Sequence, residues 1–409
     1  MDSATFTSGL IVSSCGSARS LAIKTDADIL IVGAGPSGSL LGYLLARSGH
    51  TVRIIDKATF PRDKVCGGGI SHKTIELLPF DISSIIQKRL KGAFLTYQNC
   101  DTVIKDLGER SGAAVLRSDF DHFLLQKAID AGAKFDGNTE FVKAEKIGDR
   151  VTVTTSRGAI TTRYIVGADG VMSRVRESVF GRGLVTYAPG VEALVSVSSD
   201  KAERIGDRVL FDFSGMPRGY GWIFPKKDHL NVGVFSIYPT RSIKKDLARF
   251  MSWYGILASP SHVKNLGFAI PLKNTRREFE RDNFLLVGDA GGFAESFYGE
   301  GIYFALKSAV VAAEALTAAF DRPSERAYSR LVDERIQPDL TYSELNARMF
   351  FAIQRFGFYR MVRNIHVNYY FSELIAGGVG HRECFYKTIL TIPYWLFSKK
   401  FSILKGGAF

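Results

Sequence analysis

Residues 26–56 read DADILIVGAGPSGSLLGYLLARSGHTVRIID. An apolar run, Ile29-Leu30-Ile31-Val32, leads into Gly33, Gly35 and Gly38, and a second apolar run ends at Asp56, 18 positions past the last of these glycines. This spacing predicts strand, glycine turn, helix and second strand. Gly33 permits the tight turn, Gly35 lets the backbone approach a pyrophosphate, and Gly38 lets helix and strand pack closely. The amides at the helix N-terminus then face the phosphates, and Asp56 is placed to accept hydrogen bonds from an adenosine ribose. The stretch therefore predicts a dinucleotide-binding βαβ unit.

Two further stretches decide for FAD over NAD. VGDAGG (287–292) sets Asp289 at the end of a buried strand, where a carboxylate can hold ribityl hydroxyls, and GEGI (299–302) opens the following helix, whose N-terminal amides can support negative charge on a reduced flavin. GADG (167–170), with Ser173 and Arg176, forms another glycine-flanked turn. Between these pieces lie alternating stretches such as VEALVSVS (191–198) and HLNVGVF (229–235), and RSDFDHFLLQKAIDAGAKF (117–135) reads as a helix running into a strand. The expected fold is α/β. A discontinuous Rossmann-like FAD-binding domain covers 26–90, 111–180 and 281–325, a mixed, largely antiparallel-sheet substrate domain covers 91–110 and 181–280, and a C-terminal helical region covers 326–409.

The chain has 409 residues, 46% of them hydrophobic and 23% charged, ample for a large core. Its four cysteines, Cys15, Cys66, Cys100 and Cys384, lie far apart, which suits free thiols in a reducing cytoplasm and gives no metal pattern. A net charge of +12 implies an acidic partner; without a nucleic-acid signature, the anionic surface of a membrane is preferred over nucleic acid. Residues 1–25 have neither the basic start nor the apolar stretch of a secretory signal, and read as a disordered leader or a misassigned start in preference to a transit peptide. Roughly a fifth of residues 326–409 are aromatic, against 12% of the whole chain, which suits either a greasy interfacial surface or a buried helical cap. His72 and His229 stand alone and receive no role.

The opening fingerprint, GADG and VGDAGG–GEGI together resemble the para-hydroxybenzoate hydroxylase type of flavoprotein. KVCGGGIS (64–71) and GYGWIFP (219–225) narrow the resemblance to the geranylgeranyl reductase family, which saturates isoprenoid double bonds with reduced FAD. The resemblance implies FAD contacts at Ser37, Asp56, Cys66, Gly67, Gly69, Arg117, Asp289, Gly301 and Ile302, with Phe141 near the adenine. It also implies a lipid pocket walled by Tyr220, Trp222, Phe224 and Pro225. Adding hydrogen to an unactivated trisubstituted alkene needs a hydride and a proton, with carbocation character between them. The ring faces of Tyr220 and Trp222 are the candidates to stabilise that charge, and Cys66, a tyrosine or water to supply the proton. NADPH visiting transiently, or reduced ferredoxin, is the expected electron donor. KTILTIPYWLFSKK (387–400), short, aromatic and interrupted by Pro393, is expected to dock the protein peripherally on the membrane. The alternative on the same fold is a flavin monooxygenase or halogenase. Gly291 and Ser296-Phe297-Tyr298 depart from the alanine and proline that many relatives carry after the Gly-Asp pair.

Overall fold

A computed structural model describes residues 25–196, 205–214, 216–238, 242–256, 264–321, 327–359 and 365–397. The leader at 1–24 and residues 398–400 of the expected membrane segment fall outside the described residues. Strand Ala27–Val32 is central to an eight-stranded sheet, pairing in parallel with Val52–Ile55 on one side and Gly158–Gly167 on the other. Its Ile29, Leu30 and Ile31 are fully buried on both faces, which explains an unbroken apolar run rather than an alternating one. Phe284–Leu286 and Lys134–Asp136 extend the parallel ladder outward, while Phe141–Ile147 and Arg150–Thr155 hang from it antiparallel. Helices Pro36–Arg47, Arg117–Asp130 and Ile302–Asp321 cover one face. The helix span Ile302–Phe320 is long and apolar enough to cross a membrane, but it packs on helix Pro36–Arg47 as part of this core.

A second, seven-stranded sheet runs in the order Lys264–Asn274, Val185–Val195, Leu230–Ser236, Gly219–Pro225, Arg208–Asp212, Gly92–Tyr97, Asp101–Asp106. All its pairings are antiparallel except that of Arg208–Asp212 with Gly92–Tyr97. A small sheet of Gly69–Ile70, Ala113–Val115 and Ile86–Arg89 lies beside the cysteine-glycine stretch. Helix Ile243–Trp253 buries Leu247, Phe250 and Met251 on one face of the large antiparallel sheet. Helix Gln337–Ala352 buries Phe350 and Phe351 on its other face, with Phe213, Tyr220 and Phe297.

The C-terminal tail falls into two parts. Its first part is a buried cap, whereas helix His381–Phe397 exposes Tyr386, Ile389 and Leu390. That helix continues through Pro393 rather than breaking there.

Candidate functional site

One cavity of about 620 Å³ runs from the first glycine turn to the aromatic face of the antiparallel sheet. At one end, Gly33 has φ +108°, and a Cβ there would stand 2.3 Å from the Ala168 carbonyl oxygen. A Cβ on Gly38 would stand 1.9 Å from the Gly33 oxygen, so this glycine serves packing and does not itself line the cavity. Gly35 caps helix Pro36–Arg47, whose first turn carries no acidic side chain and no side-chain cap, leaving its amides available to an anion. Asp56 accepts hydrogen bonds from the Ala34 and Ala58 amides, both at 2.8 Å, which fixes its carboxylate at the turn. Ser37 and Phe141 are buried and line the cavity.

Arg117 lines the cavity. Its Nε and Nη2 form a bidentate pair with Asp121, one helical turn on, at 2.8 and 2.7 Å. The fork is thus taken up inside the helix, and what remains of the guanidinium lies beside Cys66. Asp121 also pairs with Arg62 at 3.1 Å; Arg62 lines the cavity near Gly35 and was not singled out from the sequence.

Asp289 lies in a short turn, Gly288–Gly291, facing Gly301. Burial pushes its carboxyl up, and Lys64, Arg117 and Arg176 offset this. Gly301 accepts the first bond of helix Ile302–Asp321, from the Ala305 amide at 2.8 Å. Between Asp289 and Gly301 the chain is organised by Glu295, fully buried, whose carboxylate accepts from the amides of Phe297 (2.8 Å), Tyr298 (2.5 Å) and Glu300 (3.1 Å) and from the Ser343 hydroxyl (2.7 Å). Glu300 in turn pairs with Lys73 at 2.7 Å and accepts from the Ser71 hydroxyl at 2.6 Å. His381 closes this end of the cavity, and burial holds its imidazole down at about 4, hence neutral.

At the far end stand Tyr220, Trp222 and Phe224, with Phe211, Phe235 and Phe268. Strand alternation puts these three residues of Gly219–Pro225 on the cavity face. Gly221 and Ile223 face the other core, where a Cβ on Gly221 would meet Phe250 at 2.6 Å. Pro225 shares that opposite face and does not line the cavity, so it does not make the contact expected of it. Gly233 makes room for the Trp222 ring, since a Cβ there would stand 2.1 Å from it. The Tyr220 hydroxyl donates to the Tyr298 carbonyl, and burial pushes its ionisation well up.

Cys66, Gly67 and Gly69 form the junction between the two ends. Phe224 explains the glycines: a Cβ on Gly67 would meet its ring at 3.0 Å, and one on Gly69 at 2.4 Å. Gly68, at φ +64°, faces the Val115 carbonyl. The two motifs, more than 150 residues apart, are therefore the two sides of one contact.

Residues 26–183 match the FAD binding domain family model. An uncharacterized protein of Methanosarcina barkeri is 33% identical over 314 residues, 74% of this chain and 79% of that protein. The digeranylgeranylglycerophospholipid reductase 2 of Methanosphaera stadtmanae is 30% identical over 332 residues, 76% of this chain and 84% of the relative. The chain belongs to the geranylgeranyl reductase family of FAD-dependent oxidoreductases. A geranylgeranyl bacteriochlorophyll reductase-like protein of Thermoplasma acidophilum shares the fold of this family member, with a TM-score of 0.71, 21% identity, and coverage of 90% of this chain and 97% of that one. The geranylgeranyl reductase fold thus extends through most of the chain, including much of the C-terminal region beyond the matched FAD domain.

Proposed function

We propose that this protein saturates C=C bonds of a geranylgeranyl-type chain carried by a lipid, quinone or pigment. The observation that carries the reading is one continuous cavity, lined at one end by the glycine turn and at the other by Tyr220, Trp222 and Phe224, with Cys66 between. The residues fit FAD. The turn is kept free of side chains by Gly33 and Gly35, Asp56 is fixed for a ribose, Asp289 lines the cavity where a ribityl chain would lie, and two helices begin there without acidic side chains in their first turns. Ser37, Gly67, Gly69, Arg117, Phe141, Gly301 and Ile302 complete the proposed lining of the cofactor site, and Gly38 shapes it by letting helix Pro36–Arg47 pack against the turn. FAD when bound supplies the hydride.

The chain's own residues do the rest. Tyr220 and Trp222 present ring faces to developing positive charge, worth about 0.5–2 kcal/mol per contact. The buried wall keeps water from that centre. Proton delivery is assigned to Cys66 rather than Tyr220, because the tyrosine hydroxyl is engaged with the Tyr298 carbonyl and pushed up by burial. NADPH or reduced ferredoxin is proposed as donor. Product analysis tests the reading: under argon, with each donor in turn, a geranylgeranyl lipid gains two hydrogens per reduced bond. An oxygenated or halogenated product formed only in air would move the chain to the monooxygenase or halogenase side of the fold.

A cytoplasmic protein docked on an anionic membrane completes the proposal. Moving a prenyl chain from bilayer to pocket gains little hydrophobic energy, so the pocket has to open near the lipid. Tyr386, Ile389 and Leu390, at i, i+3 and i+4 of one helix, form an exposed apolar stripe, Leu390 being 77% exposed. Burying one such leucine is worth roughly 1.5–3 kcal/mol. Leu390→Glu should therefore weaken flotation with anionic liposomes more than about tenfold in affinity; unchanged flotation would remove this helix from the docking surface.

A further inference from the structure

The loop Cys66–Gly69 carries only one side chain, and glycines lose more conformational freedom on ordering than any other residue. Something outside the loop has to hold it. Three buried side chains do so, two from strands of the antiparallel sheet and Lys226 from just beyond the end of a third. Glu192 Oε1 accepts from the Cys66 amide at 3.0 Å. Asn231 Nδ2 reaches the Cys66 carbonyl at 3.4 Å. Lys226 Nζ donates to the carbonyls of Gly67 (2.6 Å), Gly68 (3.4 Å) and Val115 (2.9 Å).

Asn231 is the pivot. The Trp222 indole N–H is a donor only, and it bonds Asn231 Oδ1 at 2.8 Å. The amide nitrogen is thereby turned toward the Cys66 carbonyl and the Glu192 carboxyl, both acceptors. One buried amide, 1% exposed, thus ties an aromatic ring of the cavity wall to the cysteine loop.

We propose that Asn231, with Glu192 and Lys226, is a positioning residue that sets Cys66 in register with Trp222 across the cavity. This rests on the reading of Cys66 as the group beside the reacting double bond. The supporting physics is that a misplacement of about 1 Å in a reacting group can cost on the order of 100-fold in rate. Burial raises the Glu192 carboxyl, and its hydrogen bonds with Asn231 and the Cys66 amide, with Lys226 and Arg117 nearby, offset this.

The test uses the flavin-loaded protein and two readouts. Asn231→Asp keeps the acceptor for Trp222 but sets an oxygen against the Cys66 carbonyl and Glu192. It should lower kcat about 10- to 100-fold with KM within about twofold. It should also raise the rate of iodoacetamide labelling of Cys66 several-fold relative to exposed Cys100, read by mass spectrometry. Adding Glu192→Gln returns a donor to the pair and should restore much of both. Lys226→Met, which frees the other end of the loop, should raise the same labelling ratio and guards against a folding defect confined to position 231. An unchanged labelling ratio in Asn231→Asp and Lys226→Met, or a double variant no better than Asn231→Asp, would overturn the clamp. Labelling requires no substrate, so a wild-type protein that reduces no prenyl lipid would sink the functional reading without deciding this one.

Discussion

Gly38→Ala is expected to purify with less than about a tenth of the wild-type flavin content. The new methyl carbon would lie 1.9 Å from the Gly33 oxygen and 3.1 Å from the Ala168 side chain. Neither neighbour can retreat, because Gly33 is itself pressed against the Ala168 carbonyl at a φ of +108°. The turn has to open, or the helix has to withdraw from it, and either move takes the helix amides away from the phosphates they face. Overpacking of this kind costs about 1–3 kcal/mol, and 1.4 kcal/mol lost from cofactor binding is tenfold in affinity. Gly267→Ala, at a position with nothing within 4 Å, is the control and should keep its flavin. The ratio of flavin to protein absorbance reads the outcome; a stoichiometric flavin content in Gly38→Ala would contradict the role given to the turn.

Glu295→Ala should produce the largest loss of stability, about 3–5 kcal/mol, because several buried donors lose their acceptor at roughly 1–3 kcal/mol each. Three amides and the Ser343 hydroxyl converge on this carboxylate; the Tyr298 and Glu300 amides and the Ser343 hydroxyl would lose it as acceptor, and the Phe297 amide would keep only its longer bond to Ser343 Oγ at 3.3 Å. Glu295→Gln is expected to fall between, at about 1–3 kcal/mol. An amide has one oxygen, so its nitrogen must face at least one N–H donor. The consequences reach the site, because the segment Glu295 holds includes the Tyr298 carbonyl that receives Tyr220 and the entry to helix Ile302–Asp321. Denaturant midpoints at constant m-value check this; an alanine variant within about 0.5 kcal/mol of wild type would show the loop is held by something else.

The dinucleotide half was legible because its signals are local. A strand buried on both faces, three glycines at fixed spacing and an aspartate at the next strand end all lie within 31 residues. The aromatic strand was legible for a related reason, since Tyr220, Trp222 and Phe224 follow the period of two that puts them on one face. Arg117 was placed at the site from the resemblance alone; its bidentate pair with Asp121, one turn along its own helix, was not read from the sequence.

The polar residues behind the cavity left no readable mark. In VEALVSVS and HLNVGVF the alternation marks two faces, and Glu192 and Asn231 fall where a solvent-facing side is expected. That side faces the cysteine loop instead, and both residues are buried. Lys226 and Glu295 are likewise charges that a one-dimensional reading assigns to the surface. The partners of Lys226, and Ser343 for Glu295, come from sequence positions that only the assembled fold brings near, while the amides on Glu295 are local but carry no side-chain signal.

The central claim is that a prenyl chain bound against Trp222 lies within reach of the cofactor. Its most direct test is a single turnover: the flavoprotein, reduced with dithionite under argon, is mixed with a geranylgeranyl lipid in micelles while flavin absorbance is followed. The account predicts flavin reoxidation without oxygen and one product two hydrogens heavier for each flavin reoxidised. Flavin that stays reduced with geranylgeranyl, quinone and polyprenyl lipids alike, and reoxidises only when air is admitted, would contradict it.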